Sequence, residues 1–188
     1  MKTHIIPALK LTLVLLVLLA VVYPAVVWGV AKLSPDGGNG ERITYKGKTY
    51  YKNIGQSFTA DDYFWSRPSA VGYNAAGSGG SNKGASNAEY LNEVKTRIAT
   101  LLSHNPGLKT ADIPMDLITA SGSGLDPDIS VQAANIQVNR IAAIRKLPVD
   151  RLLTLVKDNT QKPALGLFGP EKINVLMLNL ALDQLAGQ

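Results

Sequence analysis

From Leu11 to Ala31 the chain carries no charged residue, and Leu, Val and Ala fill most of the run. As a helix rising 1.5 Å per residue it would be about 31 Å long, close to the hydrocarbon thickness of a bilayer. A core helix of a soluble domain seldom reaches this length without a polar face. Tyr23 and Trp28 fall near the far end, where amphipathic rings favour the membrane–water interface, and Pro24 is tolerated in a span as a kink. A cleaved signal peptide is the competing reading, because Gly29-Val30-Ala31 places small residues where a signal peptidase cuts. The apolar run exceeds the ~7–15 residues of a signal core, which favours an uncleaved anchor. Lys2 and Lys10 ahead of the run predict a cytoplasmic N-terminus, so the rest of the chain is expected across the membrane. The expected organisation is a transmembrane anchor over residues 1–32 and one extracytoplasmic soluble domain over 33–188.

Charge narrows the partners of that domain. The net charge is +5, from 19 Lys and Arg against 14 Asp and Glu. Lys2, Lys10 and Lys32 lie in the anchor segment, where no acid occurs, so 16 basic residues face 14 acidic ones beyond it. No basic cluster is present to track phosphates, so nucleic acid is not expected as a partner. Zero cysteines exclude disulfides, thiolate metal sites and cysteine nucleophiles.

Ser34 to Gly40 reads as a flexible exit from the bilayer. Two β-rich runs, Arg42 to Lys46 and Lys48 to Ile54, meet at Gly47 and predict a hairpin. Gln56 to Ser69 is loop-like but holds Phe58, Tyr63, Phe64 and Trp65. Gly72 to Gly84 is rich in Gly and Ser, so it is either disordered or tightly wound, and composition does not choose between these. Ser86 or Asn87 can cap a helix in which Leu91, Val94, Ile98, Leu101 and Leu102 form one stripe, ended by Asn105-Pro106-Gly107. A second helix is expected from Ser130 to about Lys146, with Arg140, Arg145 and Lys146 as dipole partners near its end. A third should run from Pro148 to about Lys157. A strand from Ile173 to Met177 and a closing helix to about Ala186 complete an α+β domain, a small sheet covered by helices.

Chemical motifs are sparse. Gly79 to Ser86 nearly spells a phosphate loop, but Ala85 stands where its lysine belongs. Gly77-Ser78-Gly79 and Gly122-Ser123-Gly124 lack the third glycine of a dinucleotide fingerprint. His4 precedes the span and His104 ends a helix, so no His pair serves zinc or a triad; His104 reads as a dipole partner. An acid of Asp126-Pro127-Asp128 is expected to cap the helix near Ser130. Adjacent Asp61 and Asp62 do not make a paired-carboxylate site. No catalytic, cofactor-binding or metal-ligating residue is assigned.

Three blocks carry a resemblance further: Ile54-Gly55-Gln56-Ser57-Phe58-Thr59; Tyr63-Phe64-Trp65-Ser66-Arg67-Pro68-Ser69 followed by Tyr73 to Asn82; and Leu117 to Ser130. With Asn174-Val175-Leu176 and Leu178 to Asp183, and with the span ahead of them, the chain resembles the C subunit of the bacterial Kdp-type potassium-transporting ATPase over essentially its whole length. Met177, where the family pattern has an acid, departs from it, as do Lys83 and Asn135 to Asn139. The resemblance implies a non-catalytic accessory subunit of an ATP-driven potassium uptake pump in the bacterial cytoplasmic membrane. Its partners would be a channel-like potassium-translocating subunit, a P-type ATPase catalytic subunit and the lipid bilayer. It would bind no cofactor autonomously, ATP and potassium being handled by the complex. It also implies a role in assembly and a chaperone-like effect that raises the catalytic subunit's ATP affinity; the anchor makes that effect indirect. Tyr63, Phe64, Trp65, Arg67, Asn74, Ser78, Gly79, Gly80 and Asn82 are the candidate interface, aromatic and Arg types being enriched at such surfaces. The same aromatics could instead fill the domain's own core. The alternative function is an independent membrane-anchored periplasmic ligand-binding module or enzyme using the loop 72–84.

Overall fold

A computed structural model describes residues 2–186, which fall into two compact units divided between Tyr51 and Lys52. In the first, α1 (Lys2–Val17) and α2 (Tyr23–Ala31) are joined by a π-helical turn, Leu18–Val22. The stretch His4–Ala31, 28 residues, is long and apolar enough to cross a membrane, and the protein buries none of it. The widened turn has a local cause. Pro24 has no N–H to donate, and its ring crowds the carbonyl four residues earlier, at Ala20 inside the π turn.

Beyond the helix, β1 (Arg42–Tyr45) pairs antiparallel with β2 (Lys48–Tyr51), Tyr45 opposite Lys48. Lys46 (φ 47°) and Gly47 (φ 76°) form the two-residue turn, both in the left-handed region that this hairpin geometry demands. The hairpin belongs to the same compact unit as the apolar helix.

The second unit is α+β. Asn87 caps α3 (Ala88–His104), its side-chain oxygen accepting the Tyr90 N–H at 2.9 Å. Three short strands, β3 (Asp128–Ile129), β4 (Thr160–Gln161) and β5 (Lys172–Asn174), form an antiparallel sheet in the order β3-β5-β4. Helices α4 (Val131–Asn135), α5 (Val138–Arg145), α6 (Val149–Asp158) and α7 (Val175–Ala186) supply most of the core. Ile129, Ile141, Leu152, Ile173, Leu178 and Leu182 are all within 2 % of full burial there.

Three expectations are corrected. The single helix from Ser130 to Lys146 is two, because the Gln137 N–H bonds the Ala134 carbonyl and tightens the chain before α5 begins. Ser130 itself caps α4, accepting the Ala133 N–H at 3.0 Å, so the acid expected as the cap is not the cap. Asp126 instead accepts the Asp128 N–H, and Asp128 pairs with Lys172 at 2.6 Å. The strand from Ile173 to Met177 stops at Asn174, whose side chain accepts the Met177 N–H and turns the chain into α7.

Candidate functional site

The Gly- and Ser-rich segment is ordered, because a second Gly-Ser loop lies against it. Gly79 N–H donates to the Ser123 carbonyl at 2.9 Å and Ser78 Oγ to the same carbonyl at 3.0 Å. Ser69 Oγ donates to the Gly124 carbonyl at 2.6 Å, and Gly55 N–H to the Leu125 carbonyl at 2.7 Å. Two glycines are required by this packing. A Cβ on Gly55 would lie 2.6 Å from the Asp126 carbonyl oxygen. One on Gly124, at φ +66°, would lie 2.6 Å from Val71 Cγ2 and 2.8 Å from the Gly79 oxygen. Arg67 ties the same loops together, pairing with Asp126 at 2.8 Å, while the Tyr73 hydroxyl donates to the Arg67 carbonyl. Asn74 Oδ1 accepts the Ala76 N–H in a local turn, and Asn82 sits exposed at φ +53°.

The aromatic segment 61–66 is clamped from behind by residues that sequence reading did not single out for this role. Asn179, buried in α7, accepts the Phe64 N–H at 2.9 Å and donates to the Phe64 carbonyl at 3.0 Å. Gln137 Oε1 accepts both the Trp65 N–H at 2.7 Å and an Arg140 N–H at 2.8 Å. Arg140 donates further to the carbonyls of Asp61 and Tyr63 and to Asn105 Oδ1. Its guanidinium lies 4.4 Å from the Trp65 ring centroid, and burial pushes its pKa down to about 10, which leaves it charged at neutral pH. Arg145 Nη1 holds Asp183 at 2.8 Å and stacks 4.5 Å over Tyr63, whose hydroxyl donates to Asp183. Burial opposes the charge on Arg145, but Asp183 and Tyr63 outweigh it and raise its pKa. Arg140 and Arg145 are therefore cross-braces for this segment, which replaces the expectation that they serve the dipole of α5. His104 likewise pairs with Asp61 at 2.8 Å and packs edge-on to Trp65.

The candidate interface residues thus divide. Phe64 is wholly buried, and Tyr63 packs against the core beside it. Trp65, Arg67, Gly79 and Gly80 are half-buried; Asn74, Ser78 and Asn82 are exposed. Trp65 and Tyr73, with Phe58, Pro68, Leu101 and Leu117, line an apolar cleft of about 280 Å³ whose polar edge includes Arg97. Tyr23 and Trp28 are exposed on the apolar helix, with Lys32 Nζ 5.2 Å over the Trp28 ring.

Among the described residues every buried side-chain N or O atom has a partner. This network spends its polar atoms on holding the two Gly-Ser loops and the aromatic segment in place. Among the described residues, too, no three His, Cys, Asp or Glu side chains are placed to hold a metal ion.

Residues 5–184 match the family model described as KdpC, the K+-transporting ATPase c chain. The chain belongs to the KdpC family. It is 56 % identical over 178 residues to the potassium-transporting ATPase KdpC subunit of Flavobacterium johnsoniae, covering 94 % of this chain and 96 % of that one. The KdpC subunit of Bacteroides fragilis (strain YCH46) is 48 % identical over 189 residues, with 98 % of each chain covered. That of a Janthinobacterium species is 45 % identical over 189 residues, covering 98 % of this chain and all of the other. KdpC membership and an apolar helix long enough to cross a membrane together fit a membrane-anchored subunit of a potassium-transporting ATPase.

Proposed function

We propose that the chain is a non-catalytic accessory subunit of an ATP-driven potassium uptake pump, anchored in a bacterial cytoplasmic membrane with its N-terminus inside and its domain outside. The observation that carries this reading is the family match across residues 5–184, apolar helix and domain alike. The domain docks on a channel-like potassium-translocating subunit through the exposed edge of its Gly-Ser loops and the Trp65–Tyr73 cleft, and so supports assembly with the P-type catalytic subunit. Any rise it causes in that subunit's ATP affinity is transmitted through the complex, because a domain outside the membrane cannot touch cytoplasmic nucleotide. ATP and potassium are bound by the complex and not by this chain alone.

The alternative, a free-standing ligand-binding module or enzyme using the loop 72–84, is less well supported. The Gly79 N–H and the Ser78 hydroxyl of that loop are already spent on the Ser123 carbonyl, which leaves fewer donors to cradle an anion. The chain has no cysteine, so a single Thr154→Cys, exposed on α6 and outside the proposed docking residues, reports the side of the membrane directly. A membrane-impermeant maleimide added to intact spheroplasts should label it fully. Labelling only after lysis would refute the proposed orientation.

A further inference from the structure

The connection from β4 to β5 ends in a tip that does not suit a water-facing loop. Pro163-Ala164-Leu165-Gly166-Leu167-Phe168-Gly169-Pro170 contains no polar side chain. Leu165 is 89 % exposed, Leu167 82 % and Phe168 66 %. Single exposed leucines are ordinary; three large apolar side chains on one short tip are not.

The tip is also hydrogen-bonded within itself. Ala164 and Phe168 exchange both backbone hydrogen bonds at 3.0 Å, Leu167 N–H bonds the Ala164 carbonyl at 3.1 Å, and Gly166 N–H bonds the Pro163 carbonyl at 2.9 Å. Pro163 and Pro170 have no N–H to satisfy. Four backbone donors are thus paired inside the turn, so the tip can leave water without orphaning them. Leu165 sits at φ +55°, where Asn or Gly would be less strained, so local folding does not favour a leucine there.

We propose that this tip inserts into the interfacial layer of the bilayer that the chain's own apolar helix spans. Three observations favour lipid as the occupant. The tip is a convex projection and not a groove. Lys162 stands immediately before it as a cation for lipid phosphates, while on the far side Glu171 follows Pro170 and Lys172 is held by Asp128 at 2.6 Å. The apolar helix tethers the domain covalently to a membrane, so a second contact with that membrane is intramolecular and weak insertion suffices. The inference depends on the anchor alone and not on membership of a pump, so the two can fail separately.

The test uses the full chain, purified without other subunits and reconstituted in vesicles of phosphatidylethanolamine and phosphatidylglycerol at 3:1. An environment-sensitive fluorophore is attached to Leu167→Cys, and in a second sample to Asn74→Cys, an exposed polar-loop control. Shallow spin-labelled lipids should quench the Leu167 probe at least threefold more than the Asn74 probe. A Phe168→Asp substitution, at a surface position that leaves the far-ultraviolet circular dichroism unchanged, should cut that difference by half or more. Equal quenching at the two positions would overturn the proposal. So would a Leu167 probe that is unquenched in these vesicles and is shielded only in a complex with further subunits, which would assign the tip to a protein partner.

Discussion

Asn179→Leu is the sharpest test of how the aromatic segment is held. Asn179 is 2 % exposed, and its amide makes both hydrogen bonds to the Phe64 backbone. Leucine has the same number of side-chain heavy atoms, so the substitution leaves no cavity, and the bulk of its methyl groups can only add to the loss. It strands one buried N–H and one buried C=O, at about 1–3 kcal/mol each. The new apolar side chain recovers roughly 1–2 kcal/mol by its own burial. The net loss should be about 2–4 kcal/mol. With a urea m-value of order 1.5–2 kcal/mol per molar for a domain of this size, the midpoint should fall by about 1–2 M. Trp65 reports the transition cleanly in a Trp28→Phe background, since these are the two tryptophans of the chain. A shift below about 0.3 M would show that Asn179 does not hold the segment and would refute the clamp.

Gly124→Ala combines a left-handed φ with a 2.6 Å contact to Val71 and should cost about 2–4 kcal/mol in the same assay, whereas Gly122→Ala, with open space around it, should stay within about 0.5 kcal/mol. Burial raises the phenol pKa values of Tyr63 and Tyr73 above their ordinary value near 10. Their unfolded forms therefore lose the proton first, so the stability these groups contribute is whole below pH 10 and declines as pH rises past it. Urea midpoints between pH 8 and 11 should be flat and then fall, and Tyr63→Phe with Tyr73→Phe should shrink the fall. Trp65→Ala removes a ring stacked on Arg140 and should cost roughly 2–3 kcal/mol while weakening capture of the other pump subunits several-fold. Capture unchanged at a temperature where the variant stays folded would remove Trp65 from the docking surface.

Elements that local physics decides are legible in the sequence. The Asn87 cap and the apolar stripe place α3 within a residue or two, and Gly47 marks the hairpin turn. Long-range pairing decided the rest. Nothing in Asn135 to Asn139 announces a helix break, because Gln137 turns inward to serve Trp65 and Arg140, residues of another segment and of the next helix. The apolar run from Ile173 suits strand or helix equally, and Asn174 settles it by capping α7. The loop 72–84 was ambiguous between disorder and order because its partner, Ser121 to Gly124, lies some forty residues away and shows only as a second Gly-Ser cluster. Arg140 and Arg145 carry positive charge near a helix end, which looks like dipole complementarity; their targets, Asp61, Asp62, Tyr63 and Asp183, come from both sides of the chain. The tip 163–170 is the converse case. Its missing polar side chains are plain in the sequence, and only the structure shows that they project outward.

On the proposed function, this chain works as a docked subunit of a potassium pump. The most direct measurement is affinity isolation of the tagged full-length chain from native membranes in mild detergent, with mass spectrometry of what comes with it. A channel-like potassium-translocating subunit and a P-type ATPase subunit should appear in comparable amounts, together with potassium-stimulated ATP hydrolysis. Quantitative recovery of the folded chain with neither subunit would contradict the account.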